Sequence, residues 1–152
     1  MSKSEKAIVT VLCMVYKDDK ILLQDRIKKD WCGLTFPGGK VEKEESFVQA
    51  VIREVHEETG LTISEPKLCG VKQFQTDEDE RYIVFLFKTD KFEGTLISSD
   101  EGEMKWINRA SLDKCNLVDD FKELLQVFDS ESYNEFMYER KKSGDDWIIK
   151  LY

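Results

Sequence analysis

Residues 39–61 run GKVEKEESFVQAVIREVHEETGL, and the reading of this stretch decides the fold. Ser46 to Thr59 is the clearest helix in the chain. Ser46 and Gln49 have capping-box spacing, and Gly60 can supply the left-handed stop. Glu42, Glu44 and Glu45 lie where the helix dipole favours acid. On the helix, Glu54, Glu57 and Glu58 fall at i, i+3 and i+4, so three carboxylates share one face. Val48, Val51, Ile52 and Val55 make the neighbouring apolar stripe that anchors the helix to a sheet. Carboxylates crowded this closely repel, and each raises the cost of ionising its neighbours. A hard divalent cation removes that cost, because magnesium prefers oxygen ligands, keeps several waters and bridges carboxylates to substrate phosphates. Arg53 is placed to hold one carboxylate through a charge-assisted hydrogen bond. Three glutamates at this spacing also fit a solvated helix face. The context decides between the two.

Working outward, Ala7 to Tyr16 is a β-branched and apolar run, and Lys17-Asp18-Asp19-Lys20 turns it into Ile21-Leu22-Leu23 as a hairpin. Arg26 to Gly33 reads as a charged loop. Phe36-Pro37-Gly38-Gly39 follows, where proline and two glycines argue against regular structure and permit close backbone approach to a metal or phosphate. Two strands are expected at Leu68 to Thr76 and Arg81 to Lys88, around the acidic turn Asp77-Glu78-Asp79-Glu80. Met104 to Ile107, a helix near Val118 to Phe128, and a terminal hairpin around Lys142 to Asp145 complete the chain. Strands and helices interleave irregularly, so an α/β fold with a mixed sheet covered by helices on both faces is expected.

The chain has 152 residues, 41% hydrophobic and 36% charged, which sets it apart from disordered or low-complexity chains and fits one domain over 1–152. Lysine and arginine total 23 against 31 aspartate and glutamate, a formal charge of −8. Proteins held to long nucleic acid by phosphate attraction carry a basic stripe, so no such partner is expected. No apolar run approaches a membrane span and no leader pattern is read at the N-terminus, so neither a membrane partner nor export is expected. Cys13, Cys32, Cys69 and Cys115 are scattered and there is one histidine, His56, which argues against zinc and for reduced thiols in a cytoplasmic protein. His56 itself reads as a bystander.

In the central stretch Gly39 is followed after five residues by Glu45, and after seven more by Arg53-Glu54-Val55, His56, Glu57-Glu58, Thr59 and Gly60-Leu61. This resembles the Nudix box, G-x5-E-x7-R-E-U-x-E-E-x-G-U with U aliphatic, and every defined position is filled. Glu44 stands where many members have glycine. The resemblance implies an α/β/α sandwich with a mixed central sheet and hydrolysis of a nucleoside diphosphate linked to another group. It further implies that Glu57 and Glu58 bind Mg2+, with Mn2+ as a substitute, that Glu54 binds metal or activates the attacking water, and that the Gly38 carbonyl completes the site. Family members commonly add an acid from a later loop; Glu101 is the candidate and Glu103 the alternative. Glu45 is expected to be structural, and Arg53 to assist catalysis by placing a carboxylate. The chemistry implied is metal-assisted attack of water on phosphorus.

The flanks narrow the substrate. Phe36-Pro37-Gly38-Gly39-Lys40 and Arg81 to Leu86 resemble segments of the MutT branch, with an aromatic residue beside the base and an arginine near the purine. Leu117-Val118-Asp119-Asp120 and the terminal aromatic hairpin around Phe136, Tyr138 and Trp147 are similar to the oxidised-purine nucleoside triphosphatases. A carboxyl pair, Asp119 and Asp120, can meet the donor edge of a guanine, and these acids equally fit the start of a helix as caps. Phe36 or Phe74 can stack on the ring, Thr35 can read a base edge, and Arg26 can steer phosphates. Expected, then, is a small nucleotide as substrate, hydrolysed by a monomer or homodimer. The leading reading is an oxidised-purine triphosphate such as 8-oxo-dGTP. ADP-ribose or a nucleotide sugar is the alternative, and a nucleotide-binding regulator the non-enzymatic one.

Overall fold

Strand β1 (Ala7–Lys17) alternates its side chains between two cores, and the molecule is built on that alternation. Val11, Cys13 and Val15 point to one side and Met14 to the other, all of them buried. A computed structural model describes residues 3–26, 33–100, 102–141 and 146–152. The other strands are β2 (Lys20–Arg26), β3 (Gly33–Thr35), β4 (Gly38–Lys40), β5 (Leu61–Ile63), β6 (Lys67–Gln75), β7 (Arg81–Thr89), β8 (Phe92–Gly94), β9 (Gly102–Asn108), β10 (Glu135–Arg140) and β11 (Trp147–Leu151). The helices are α1 (Phe47–Thr59) and α2 (Phe121–Asp129), with a 3-10 helix over Arg109–Lys114.

Among the described residues the main sheet has the order β11-β10-β6-β7-β1-β2-β3, with β4 added to β1 and β9 to β2. It is mixed as expected: β1 runs parallel to β7, and β10 parallel to β6, while the remaining pairs are antiparallel. Helix α1 covers one face through Ala50, Val51 and Val55, which pack with Val11, Cys13, Val15 and Leu22. Helix α2 covers the other through Phe121, Leu124, Val127 and Phe128, packed with Met14, Ile21, Leu23 and Phe36. The β5–β8 pair forms a separate small sheet. No helix among the described residues is long and apolar enough to cross a membrane.

One edge of β1 serves two partners. Thr10, Val11 and Leu12 pair with β4, whereas Tyr16 and Lys17 pair with β2. Between them the Cys13 N–H donates to the Pro37 carbonyl at 2.9 Å. The sheet therefore splays open between β4 and β2, and that opening positions the site described below.

Several elements depart from the sequence reading. The Phe36–Gly39 stretch, expected to be irregular, ends in strand β4. A Cβ on Gly38 would lie 2.1 Å from the Val11 carbonyl oxygen, so the glycine serves the approach of two backbones. The short strands β3, β5 and β8 carry too few residues to show a period of two. Residues 142–145, expected at the tip of the terminal hairpin, lie outside the described residues, but its strands β10 and β11 pair as expected.

Candidate active site

Helix α1 begins where its sequence says it should. The Ser46 hydroxyl accepts from the Gln49 N–H at 2.9 Å, and the Gln49 side chain accepts from the Ser46 N–H at 3.2 Å. It stops at Gly60, left-handed at φ 80°, whose N–H donates to the His56 carbonyl. These two ends fix the length of the helix, and its buried stripe of Ala50, Val51 and Val55 fixes its rotation, and with it the face carrying Glu54, Glu57 and Glu58.

Arg53 organises that face. Its Nε and Nη2 donate to the two oxygens of Glu45 at 2.7 and 2.9 Å, Nη1 donates to Glu54 at 2.8 Å and to Glu57 at 3.3 Å, and Nη2 also donates to the Lys40 carbonyl at 3.0 Å. The planar guanidinium suits this work because its donors form a rigid fork. The Arg53 hydrogen bonds hold the Glu45 carboxyl down at about 2, aided by the Glu42 backbone N–H. The same Glu45 contact raises the Arg53 pKa further above its ordinary value. Glu58 is fixed separately, accepting the Gly38 N–H at 3.0 Å. A Cβ on Gly39 would stand 2.3 Å from a Glu54 oxygen, so the second glycine leaves the room that this carboxylate fills.

The donor set suits a hard divalent cation: three carboxylates on one turn-and-a-half of helix, beside the backbone of Gly38 and Gly39. As the side chains stand, no three acids, histidines or cysteines among the described residues converge on a single point. Arg53 draws Glu54 and Glu57 to itself, while the Gly38 N–H takes Glu58. Glu57 is the outermost, with 57% of its side chain exposed against 14% for Glu54. Glu101 lies outside the described residues. Its alternative, Glu103, is exposed and lies 3.8 Å from Lys105. His56 is exposed, its Nδ1 3.5 Å from the Thr62 hydroxyl.

A cavity of about 120 Å3 opens in the splay of the sheet, lined by Thr10, Val11, Leu12, Arg26, Thr35, Gly38, Gly39, Lys72, Tyr82, Val84, Asp120 and Leu124. It shares Gly38 and Gly39 with the carboxylate face, so a group seated here lies next to the acids. Of the expected substrate contacts, Arg26, Thr35, Gly38, Gly39 and Asp120 are brought together in its wall.

Four expected contacts stand outside the cavity wall. Phe36 is 2% exposed, stacked on Phe121 at 4.7 Å and packed on Phe128, so it is a core residue that cannot stack on a base. Arg81 donates to Glu5 and, at 2.9 Å, to the Gln73 side-chain Oε1, outside the cavity wall. Phe74 stacks on Tyr82 at 5.2 Å, and it is Tyr82 that lines the cavity. Asp119 is exposed and also outside the wall, whereas Asp120 is buried in it. Asp120 stands at the start of α2 yet makes no capping hydrogen bond there. Its carboxylate instead turns to Lys72.

Sequence reasoning missed Lys72, Tyr82 and the role of Tyr138. Lys72 is 9% exposed, and its ammonium lies 5.3 Å from the ring centres of Phe136 and Tyr138 and 6.0 Å from that of Phe74. The available signal was its place in β6, two residues from Phe74 on the face that turns inward. Tyr138 also reaches Asp120. Burial first, then the Asp120 charge and a hydrogen bond to it, push the phenol well above its ordinary range.

A family model described as NUDIX domain matches residues 6–130. The chain is 37% identical over 99 residues to an uncharacterised Nudix hydrolase, YvcI, of Bacillus subtilis, covering 62% of this chain and 61% of that protein. It is 36% identical over 106 residues to the CTP pyrophosphohydrolase of Escherichia coli, covering 66% of this chain and 76% of the relative. Among solved structures, the MutT protein of Bacillus halodurans superposes with a TM-score of 0.78 at 25% identity, covering 95% of this chain and 97% of that one. The chain thus spans about three fifths of the Bacillus subtilis relative's length.

Proposed function

Because the chain belongs to the Nudix family, matched over residues 6–130, we propose that it hydrolyses a nucleoside triphosphate to the monophosphate and pyrophosphate. The observation that carries this reading is the adjacency of two features: carboxylates gathered by Arg53, and a cavity that shares Gly38 and Gly39 with them. A triphosphate seated with its base in the cavity would run its phosphates past those glycines to the acids. Glu54, Glu57, Glu58 and the Gly38 carbonyl would hold Mg2+, or Mn2+ in its place, with Glu101 as a further ligand. The bound cation supplies neutralisation of charge on the phosphate oxygens.

The chain's own residues do the rest. Arg53 keeps Glu54 and Glu57 at one place on the helix face and stays protonated throughout. Glu54 either joins the metal ligands or takes the proton from the attacking water. Arg26, in the cavity wall, offers positive charge to the phosphates in a protein whose net charge of −8 would otherwise repel them. At about 120 Å3, the cavity falls well below the roughly 300–1,000 Å3 that encloses a drug-sized ligand, which suits one planar base with its phosphates outside.

The finer reading is removal of oxidised purines such as 8-oxo-dGTP from the nucleotide pool. It is supported by the resemblance of the Leu117–Asp120 segment and by the place of Thr35 and Asp120 in the cavity wall. Pyrophosphate release from a panel of nucleotides with Mg2+ tests both levels. Release from triphosphates is expected; AMP from ADP-ribose with no triphosphate turnover would move the chain to the nucleotide-sugar reading. Equal turnover of dGTP and 8-oxo-dGTP would remove the sanitising role and leave the enzyme class standing.

A further inference from the structure

A lysine and an aspartate taken out of water together lose more hydration than their attraction commonly returns, and an apolar pair of the same size is usually at least as stable. The Lys72–Asp120 pair, 9% and 7% exposed, joins strand β6 to the start of α2 in the wall of the cavity. Three aromatic rings surround the ammonium, which further offsets its desolvation. The Tyr138 ring packs beside the same pair, its centre 5.3 Å from the ammonium. A lone buried carboxylate would present acceptors only; this arrangement presents a cationic donor and an acceptor side by side on the cavity wall.

We propose that Lys72, held by Asp120, is a specificity-determining residue that selects a base with a 6-oxopurine edge. The ammonium has three N–H bonds and gives one to Asp120, so others remain to meet a carbonyl oxygen. On guanine that oxygen, O6, adjoins the N1–H and the exocyclic amine, two donors for the neighbouring carboxylate. Adenine offers an amine where guanine has O6, and an ammonium facing an amine meets donor with donor. The reading rests on the triphosphate hydrolysis proposed above. It goes beyond it by naming the side chain that chooses a 6-oxopurine over a 6-aminopurine; this edge is common to guanine and 8-oxoguanine, so any preference for the oxidised base must come from other contacts.

The test compares dGTP, dITP and dATP as substrates of the wild-type protein, Lys72→Met, Lys72→Arg and the doubly neutral Lys72→Met/Asp120→Asn, with circular dichroism to verify folding. Wild type should favour dGTP over dATP in kcat/KM by at least about tenfold, the order expected of one well-made edge contact. Lys72→Met should collapse that ratio through KM for dGTP, and so should the double variant, which leaves no buried charge unpaired. Lys72→Arg, which keeps the cation, should retain most of the preference. An unchanged dGTP-to-dATP ratio in the methionine variants, or no preference in wild type, overturns the proposal. Dissociation constants for the α,β-methylene analogues of dGTP and dATP give the same comparison without turnover. Absence of any triphosphate hydrolysis would therefore refute the proposed function while base selection by Lys72 is still decided.

Discussion

Arg53 and Glu45 meet in a two-point contact across the start of helix α1, Nε to Oε2 at 2.7 Å and Nη2 to Oε1 at 2.9 Å. The acid lies before the helix and the base in its middle, so the contact ties the incoming loop to the carboxylate face. Nη1 is left to engage Glu54 and Glu57. One guanidinium thus positions an acid of the loop and two of the helix, which a lysine's single ammonium could not do in the same plane.

Glu45 should titrate well below an ordinary carboxyl. Its carboxyl is held at about 2, below the ordinary 4.5, by the Arg53 hydrogen bonds first and the Glu42 N–H second. A depressed carboxyl favours the folded state above its unfolded value, and that contribution is lost as pH falls from about 4.5 towards 2. Carboxyl-carbon NMR should find the Glu45 midpoint near 2 in the native protein and near the ordinary value in Arg53→Gln. A native midpoint of about 4.5 would contradict the contact.

The two adjacent glycines should fail differently. At Gly39 the atoms nearest the added Cβ are the far end of the Glu54 side chain, 2.3 Å away, and that end can swing aside. Gly39→Ala should therefore keep its thermal midpoint and lose turnover. At Gly38 the Cβ meets the Val11 carbonyl oxygen at 2.1 Å and the Leu12 Cα at 2.9 Å, both backbone. Gly38→Ala should cost about 1–3 kcal/mol, as overpacking does, because β4 must leave β1. Calorimetry and pyrophosphate release on the same samples separate the two, and equal stability of both variants would sink the distinction.

The stretch from Gly39 to Leu61 was readable because its constraints are local. Ser46, Gln49 and Gly60 bound the helix through contacts within one turn, and the helical period alone puts the three glutamates on one face. The longer strands, with their runs of β-branched and apolar residues, were equally legible. What the sequence hid depends on contacts far apart in the chain. Phe36 looks like a base platform until α2, some 85 residues later, brings Phe121 against it. Asp120 looks like a cap, or half of a carboxyl pair, until β6 supplies Lys72 from 48 residues upstream. A tertiary partner changed the meaning of both residues, and no window of sequence contains it.

Glu44 strains the loop before the helix. It sits at φ 65°, in the left-handed region where a Cβ crowds the following carbonyl. That conformation explains why glycine suits this place in the box. Glu44→Gly should leave stability level or slightly raised, the relief of strain offsetting the added freedom of the unfolded chain. Glu44→Val, β-branched at the same φ, should lose about 1 kcal/mol or more. Urea midpoints test the pair, and equal loss in both would point to a role for the Glu44 side chain itself.

Metal dependence can be read on the folded protein before any substrate is added. If Glu54, Glu57 and Glu58 hold Mg2+, the ion binds the native chain and not the unfolded one, so the thermal midpoint should climb with Mg2+ concentration. At a hundredfold excess over the dissociation constant the gain is about 2.7 kcal/mol. Glu57 is the member to change, because its side chain is 57% exposed and Arg53 holds it only at 3.3 Å, so its loss should cost the apo protein little. Glu57→Gln should match wild type in the midpoint measured with EDTA and show a much smaller rise with Mg2+. Its turnover should fall by orders of magnitude, since the neutral amide no longer offsets the cation's charge. A full Mg2+ response in Glu57→Gln would remove Glu57 from the metal site, and retained turnover would remove it from the chemistry as well.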